Sequence, residues 1–155
     1  MSTALTQEIN STSSEDTLAL ASQIGSRLKG GEVIELISDL GGGKTTFVRG
    51  LAEGMGSKDH VSSPSFTLSN QYIGGGLTIH HFDFYRLDHP GILRQELAEM
   101  LEDPKAVVVI EWAGIVKDVL PLQKLSITIT ATDEDERSMI LEYSDKLKYL
   151  FPDNT

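Results

Sequence analysis

Two kinds of hydrophobic pattern alternate along the chain, and together they predict an α/β fold. Val33-Ile34-Glu35-Leu36-Ile37 and Ala106-Val107-Val108-Val109-Ile110 are near-continuous apolar runs, the composition of strands buried on both faces. Leu18, Ala21, Ile24, Gly25 and Leu28 recur at helical spacing instead. Ahead of them, Ser14-Glu15-Asp16-Thr17 combines hydroxyl caps with first-turn acids, and Gly30-Gly31 stops the helix. A second helix opens with Thr46-Phe47-Val48-Arg49-Gly50-Leu51-Ala52 and stops at Gly54-Met55-Gly56. A third spans 90–101, with Ile92, Leu93, Leu97, Met100 and Leu101 on its buried side.

The remaining segments read as strands and ends. Residues 68–72 and 77–85 are strand-like and joined by Gly74-Gly75-Gly76, an antiparallel hairpin beside an otherwise parallel sheet. In the second run Ile79, His81, Asp83 and Tyr85 share one face, and His80, Phe82, Phe84 and Arg86 the other. With Phe82 and Phe84 toward the core, His81 and Asp83 lie together on the opposite side, near the strand's end. Residues 125–130 and 137–143 alternate as strands around the solvated turn Asp133-Glu134-Asp135-Glu136. The first 14 residues, polar and Ser/Thr-rich, form either an edge strand or a loose lead-in, and 144–151 either a short amphipathic helix or a frayed tail.

Between the first buried strand and the second helix stands Ser38-Asp39-Leu40-Gly41-Gly42-Gly43-Lys44-Thr45-Thr46. Strand, glycine-rich turn ending in Gly-Lys-Thr, and helix make the context of a phosphate-binding P-loop. Glycines at positive φ can turn successive N–H groups inward, and the helix start adds its dipole to the same anion cradle. Asp39, Leu40, Gly41, Gly42, Gly43, Lys44, Thr45 and Thr46 are thus the candidate nucleotide-binding residues. Lys44 supplies charge for the β- and γ-phosphates, and Thr45 a hydroxyl for magnesium. The usual opening glycine is Ser38 here, and Asp39 must turn its carboxylate away from the phosphates.

Three further stretches carry candidate chemistry. Val61-Ser62-Ser63-Pro64-Ser65-Phe66-Thr67-Leu68 is a hydroxyl-rich shaped loop where switch segments of P-loop enzymes sit; a plain serine-rich turn is the alternative. Asp83 could hold magnesium or orient a water, while His81, a nitrogen donor, suits a hydrogen-bonding neighbour better than a magnesium ligand. Glu111 follows an apolar strand, as in the second P-loop signature, where a carboxylate is delivered to the metal shell. The usual acid there is aspartate, so Glu111 acts directly, through water, or as a base. Lys44, Asp83 and Glu111 are the candidate catalytic groups, and Thr45, Asp83 and Glu111 the candidate metal ligands. Trp112, the single tryptophan, packs either beside the site or in a structural role.

Composition narrows the partners. The 155 residues suffice for one well-buried core, and with no repeat or linker they predict a single domain over 1–155, with 1–13 a lead-in and 144–155 a tail. There is no cysteine, no span-length apolar run and no export signal, which predicts an unexported protein in a reducing cytoplasm. A formal net charge of −10 argues against a large sequence-independent grip on DNA or RNA, which would need phosphate-neutralising Lys and Arg; solubility alone is the other reading of the acidity.

Ser38 to Thr46 followed by Phe47 and Arg49-Gly50, then Ser63-Pro64-Ser65-Phe66-Thr67-Leu68, His81-Phe82-Asp83-Phe84-Tyr85-Arg86 and Ile110-Glu111-Trp112 resemble the TsaE (YjeE) family in order and spacing. These are small bacterial P-loop ATPases of tRNA threonylcarbamoyladenosine synthesis. The resemblance covers about 14–137, and departs at Ser38 and at Ser65, where the family has Gly and Thr. It implies a P-loop NTPase-like three-layer fold with a mixed sheet, parallel at its core and carrying an antiparallel hairpin. It further implies binding of ATP or ADP with magnesium, and slow hydrolysis stimulated by the partner proteins TsaD and TsaB. Those partners modify the adenosine 3′ of the anticodon, and the family member acts indirectly, resetting the TsaD complex. Carried over, Gly41 to Lys44 hold the phosphates, Thr45 and Glu111 hold magnesium, Asp83 orients metal or water, and Thr46 supports the α-phosphate. Residues Ser13 to Thr17 approach the adenine. Two other readings stay open at this point: a small-molecule kinase, although no arginine-rich lid is present, and a nucleotide-dependent interaction module without turnover.

Overall fold

A computed structural model describes residues 4–38, 43–64, 69–85, 87, 89 and 91–151. The apolar run Val33–Ile37 forms β2 near the centre of a seven-stranded sheet, after β1 (Ala4–Ser11) and the helix α1 (Ser14–Gly25). Then come α2 (Lys44–Met55), β3 (Ser69–Gly74), β4 (Leu77–Asp83), α3 (Ile92–Leu101), β5 (Ala106–Glu111), β6 (Leu125–Ala131) and β7 (Arg137–Ser144). Two 3-10 helices, Ala113–Val119 and Asp145–Leu150, follow β5 and β7. The strand order is β1-β7-β6-β2-β5-β4-β3. β6, β2, β5 and β4 run parallel, and β3 at one margin and β7 and β1 at the other are antiparallel to their neighbours.

Helices cover both faces, which makes the three layers of a P-loop NTPase-like α/β fold. Ile34, Leu36, Val107, Val109 and Ile79 point toward α1 and α2 and pack with Ile24, Phe47, Val48 and Leu51. Val33, Val108, Ile110, Phe82 and Phe84 point the other way, against Leu97 of α3 and Ala113 and Val116 of the 3-10 helix. α1 and α2 approach closely because Gly50 and Gly54 lack side chains. A Cβ on Gly50 would lie 2.6 Å from Ala21 Cβ, and one on Gly54 2.0 Å from the Ser22 carbonyl oxygen. Gly75 and Gly76, both at positive φ, make the tight turn between β3 and β4. No helix among the described residues is long and apolar enough to cross a membrane.

The structure settles or shifts several expectations. Of the two readings for the first residues, the edge strand holds: β1 pairs with β7 from Ala4↔Ser144 to Ser11↔Arg137. The tail of 144–155 starts inside β7 and then coils into a 3-10 helix whose Leu147 and Leu150, with Phe151, are buried in the core. Ile92, placed on the buried side of the third helix, is its first residue and 76% exposed, while Leu93, Leu97, Met100 and Leu101 carry the contact with the core. Gly74 belongs to β3, and β4 ends at Asp83.

Candidate nucleotide and metal site

The site lies at the carboxyl ends of the parallel strands, where open α/β sheets place their ligands. Gly43 caps α2 with φ 103, a left-handed conformation that other residues adopt only under strain. It has no side chain to bond the first turn, so the leading N–H groups of α2 stay available to an anion. The first helical bond runs from Phe47 N–H to the Gly43 carbonyl, at 3.0 Å. Thr45 and Thr46 are half-buried on this turn, and Lys44 is buried. The Lys44 ammonium donates to the Ser38 carbonyl oxygen at 3.1 Å and stands 3.5 Å from Glu111 Oε1. Asp39, Leu40, Gly41 and Gly42 lie outside the described residues, as do Ser65 and Arg86.

Strand alternation delivers the acids. In β5, Val107 and Val109 point toward α2, so Glu111, two residues on, points there too. In β4 the series Ile79, His81, Asp83 does the same, as the alternation predicts. The parallel register sets Asp83 directly beside Glu111. His81 is fully buried, and its Nε2 lies 2.5 Å from Glu111 Oε2. It is a hydrogen-bonding neighbour of the acid. Asp83 Oδ1 accepts from Tyr85 N–H at 2.9 Å, and the Glu111 carbonyl accepts from Phe84 N–H at 3.1 Å. Lys44, from the start of α2, thus meets Glu111, with Asp83 on the adjacent strand end and Thr45 next to Lys44 in the chain.

The donor set fits magnesium. Carboxylate and hydroxyl oxygens are the hard ligands this ion takes, and the imidazole, a poorer ligand, is occupied by Glu111. Among the described residues, no three or more His, Cys, Asp or Glu side chains gather as a metal cage by themselves. Magnesium commonly keeps waters and phosphate oxygens, so a short protein ligand set suits it.

Trp112 follows Glu111 at φ 57 and ψ 54, the single described non-glycine residue at positive φ. Such backbone costs about 1–2 kcal/mol and recurs at functional sites. Its ring packs on Tyr85, with centroids 4.9 Å apart, and the Lys44 ammonium lies 5.3 Å from its centroid. Trp112 therefore borders the site rather than filling a core, a placement the sequence left open.

A second cleft adjoins the first. Ser13, Ser14 and Thr17 of α1 line it with Gly43, Thr46, Asp135 and Arg137. The stretch expected near adenine thus reaches the P-loop helix. Ser13 accepts from Asp16 N–H at 3.1 Å, and the Asp16 carboxylate accepts from the Thr12 hydroxyl at 2.6 Å and Thr12 N–H at 3.0 Å. Those bonds hold the Asp16 carboxyl below its ordinary range. Arg137 and Asp135 were missed because nothing local marks them. The β6–β7 turn carries them in from far along the chain, and backbone oxygens of Asp133, Glu134 and Glu136 fix the Arg137 guanidinium. At the start of the candidate switch loop, Tyr72 Oη donates to the Ser62 carbonyl at 2.9 Å.

Residues 11–139 match the family described as Threonylcarbamoyl adenosine biosynthesis protein TsaE. A Bacillus subtilis (strain 168) protein described as tRNA threonylcarbamoyladenosine biosynthesis protein TsaE is 36% identical over 126 residues, 81% of this chain and 78% of its own length. A Nostoc sp. protein of the same description is 37% identical over 126 residues, covering 79% of this chain and 77% of its own. The crystal structure of Bacillus subtilis YdiB matches with a TM-score of 0.74 at 30% identity, over 99% of this chain and 95% of that one. The chain belongs to the TsaE family of threonylcarbamoyladenosine biosynthesis proteins.

Proposed function

We propose that the chain is a magnesium-dependent P-loop ATPase that serves tRNA threonylcarbamoylation indirectly, by resetting a TsaD–TsaB complex. The observation that carries this reading is the meeting of Lys44, at the start of α2, with Glu111, at the end of β5. In the free protein Lys44 is held by Ser38 O and Glu111. When ATP binds, Lys44 turns its donors to the β- and γ-phosphates, the N–H groups around Gly43 and Lys44 cradle the β-phosphate, and Thr46 supports the α-phosphate. Thr45, Glu111 and Asp83 would hold the magnesium ion, which neutralises charge on the phosphate oxygens. Asp83, with one oxygen fixed by Tyr85 N–H, orients the attacking water. The water oxygen bonds to the γ-phosphorus, the bond to the bridging oxygen breaks, that electron pair leaves on ADP, and the water's proton passes to the released phosphate. The cleft between α1 and the β6–β7 turn suits the nucleoside. The chain's net charge of −10 favours a protein partner over direct tRNA binding.

The test is ATP turnover with and without TsaD–TsaB, together with nucleotide affinity in Lys44→Ala. Stimulation by the partners is expected, as is an affinity loss of about 100-fold or more from deleting a buried charge partner. Equal ATP affinity in wild type and variant sinks the site assignment.

A further inference from the structure

Glu111 is gripped from two sides. Oε2 meets His81 Nε2 at 2.5 Å, while Oε1 stands 3.5 Å from the Lys44 ammonium. We propose that His81 is a positioning residue, whose hydrogen bond holds the Glu111 carboxylate in its ligand orientation and keeps it from collapsing onto Lys44. This rests on the ATPase reading of the site.

The imidazole itself supports the assignment. His81 is fully buried, and its Nδ1 has no hydrogen-bond partner among the described residues. Its Nε2 meets Glu111. The carboxylate therefore selects the tautomer: a proton on Nδ1 would be a buried donor without an acceptor, whereas Nε2–H has one. An apolar side chain would serve the packing at this position without leaving a polar atom unsatisfied, and such a cost calls for a functional explanation.

The second support is steric and electrostatic. Glu111 has three rotatable bonds, and it faces a buried ammonium one short movement away. Without a second anchor, the carboxylate would close to hydrogen-bonding distance of Lys44. That contact would draw the ammonium from the phosphates and the carboxylate from the metal. A hydrogen bond from the neighbouring strand β4 prevents it, because His81 and Glu111 are fixed by the same parallel ladder. Partners of this kind typically change metal affinity or activity by about 10–100-fold when removed.

The experiment compares wild type, His81→Leu and His81→Gln; the glutamine amide N–H can reach the position of Nε2. In His81→Leu the magnesium concentration needed for half-maximal binding of a fluorescent ADP analogue is expected to rise about 10–100-fold, with kcat falling over the same range. Nucleotide binding in EDTA stays unchanged, and His81→Gln restores most of both losses. In the nucleotide-free protein a protected, downfield imidazole N–H resonance is expected, displaced in Glu111→Ala. Unchanged magnesium dependence and kcat in His81→Leu would overturn the proposal, and so would equal losses in the two variants. If His81→Leu fails to fold, His81→Gln and the resonance decide: absence of that resonance overturns the proposal. A wild type that neither binds nor hydrolyses ATP would sink the ATPase reading instead, leaving the resonance to judge the His81–Glu111 bond.

Discussion

Glu32 and Glu111 are the same residue type, each 3% exposed, at opposite ends of the parallel strands. Glu32 precedes β2 and takes hydrogen bonds from Lys29 N–H at 2.7 Å, Gly30 N–H at 2.8 Å and the Tyr149 hydroxyl at 2.5 Å. Two of these donors are backbone, and the third is a neutral phenol. Burial first, then the bond to Glu32 and its charge, push the Tyr149 hydroxyl well above its ordinary range. The cluster ties the α1–β2 connection to the 3-10 helix after β7. Glu111 instead faces an ammonium and an imidazole, beside the start of α2. Burial alone therefore does not mark a site. Backbone and phenol donors saturate Glu32, whereas Glu111 is shared between an ammonium and an imidazole, the kind of environment in which functional carboxylates are found.

The contrast can be broken by truncating each acid. Glu111→Ala is expected to lower ATP hydrolysis by about 100–1,000-fold, the range for losing one group that stabilises transition-state charge. Nucleotide affinity should change far less, and urea unfolding should place its stability within about 1 kcal/mol of wild type, since the cavity opens toward the site. Glu32→Ala should do the reverse. It strands three donors and is expected to cost about 3 kcal/mol in the same unfolding experiment, with nucleotide affinity unchanged. A loss of affinity in Glu32→Ala as large as in Lys44→Ala would erase the distinction.

Tyr149→Phe sharpens the comparison by removing one donor and keeping the ring. An unfolding free energy lower by about 1–2 kcal/mol is expected, with turnover unaffected. The smallest effect concerns acid. Burial pushes His80 below its ordinary value of 6.5, with the Asp103 charge partly opposing. The unfolded chain then takes the proton before the folded one, so stability falls as pH drops through about 6.5. His80→Gln should flatten that arm of the stability profile, measured by urea midpoints across pH.

Much of the site was legible before any coordinates. The turn into α2 announces itself by glycines followed by Lys44 and Thr45, because only a backbone-lined cradle needs that order. Glu111 was legible as the acid that ends a near-continuous apolar strand, although the same pattern fits a core strand with an acidic exit residue. The side of β4 that carries His81 and Asp83 followed from period-two alternation. Arg137, Asp135 and Glu32 were not legible. Arg137 and Asp135 meet Ser13, Ser14 and Thr17 only across the cleft, and Glu32 meets Tyr149 only in the fold, while a lone arginine after an acidic turn, or a glutamate after two glycines, has the local pattern of a solvated surface.

The sequence by itself determined which central segments become strands and helices, where the glycine-rich turn before α2 lies, and which acids leave strand ends. Those properties depend on local backbone freedom and on hydrophobic period, both written along the chain. Tertiary structure alone decided that β5 inserts between β2 and β4, which sets Asp83 beside Glu111 and brings His81 within a hydrogen bond of it. It also decided that residues 4–11 close the sheet against β7 and that the final turn is core. Strand order is set by which buried faces fit together across the whole sheet, a competition among distant segments that no local spacing records.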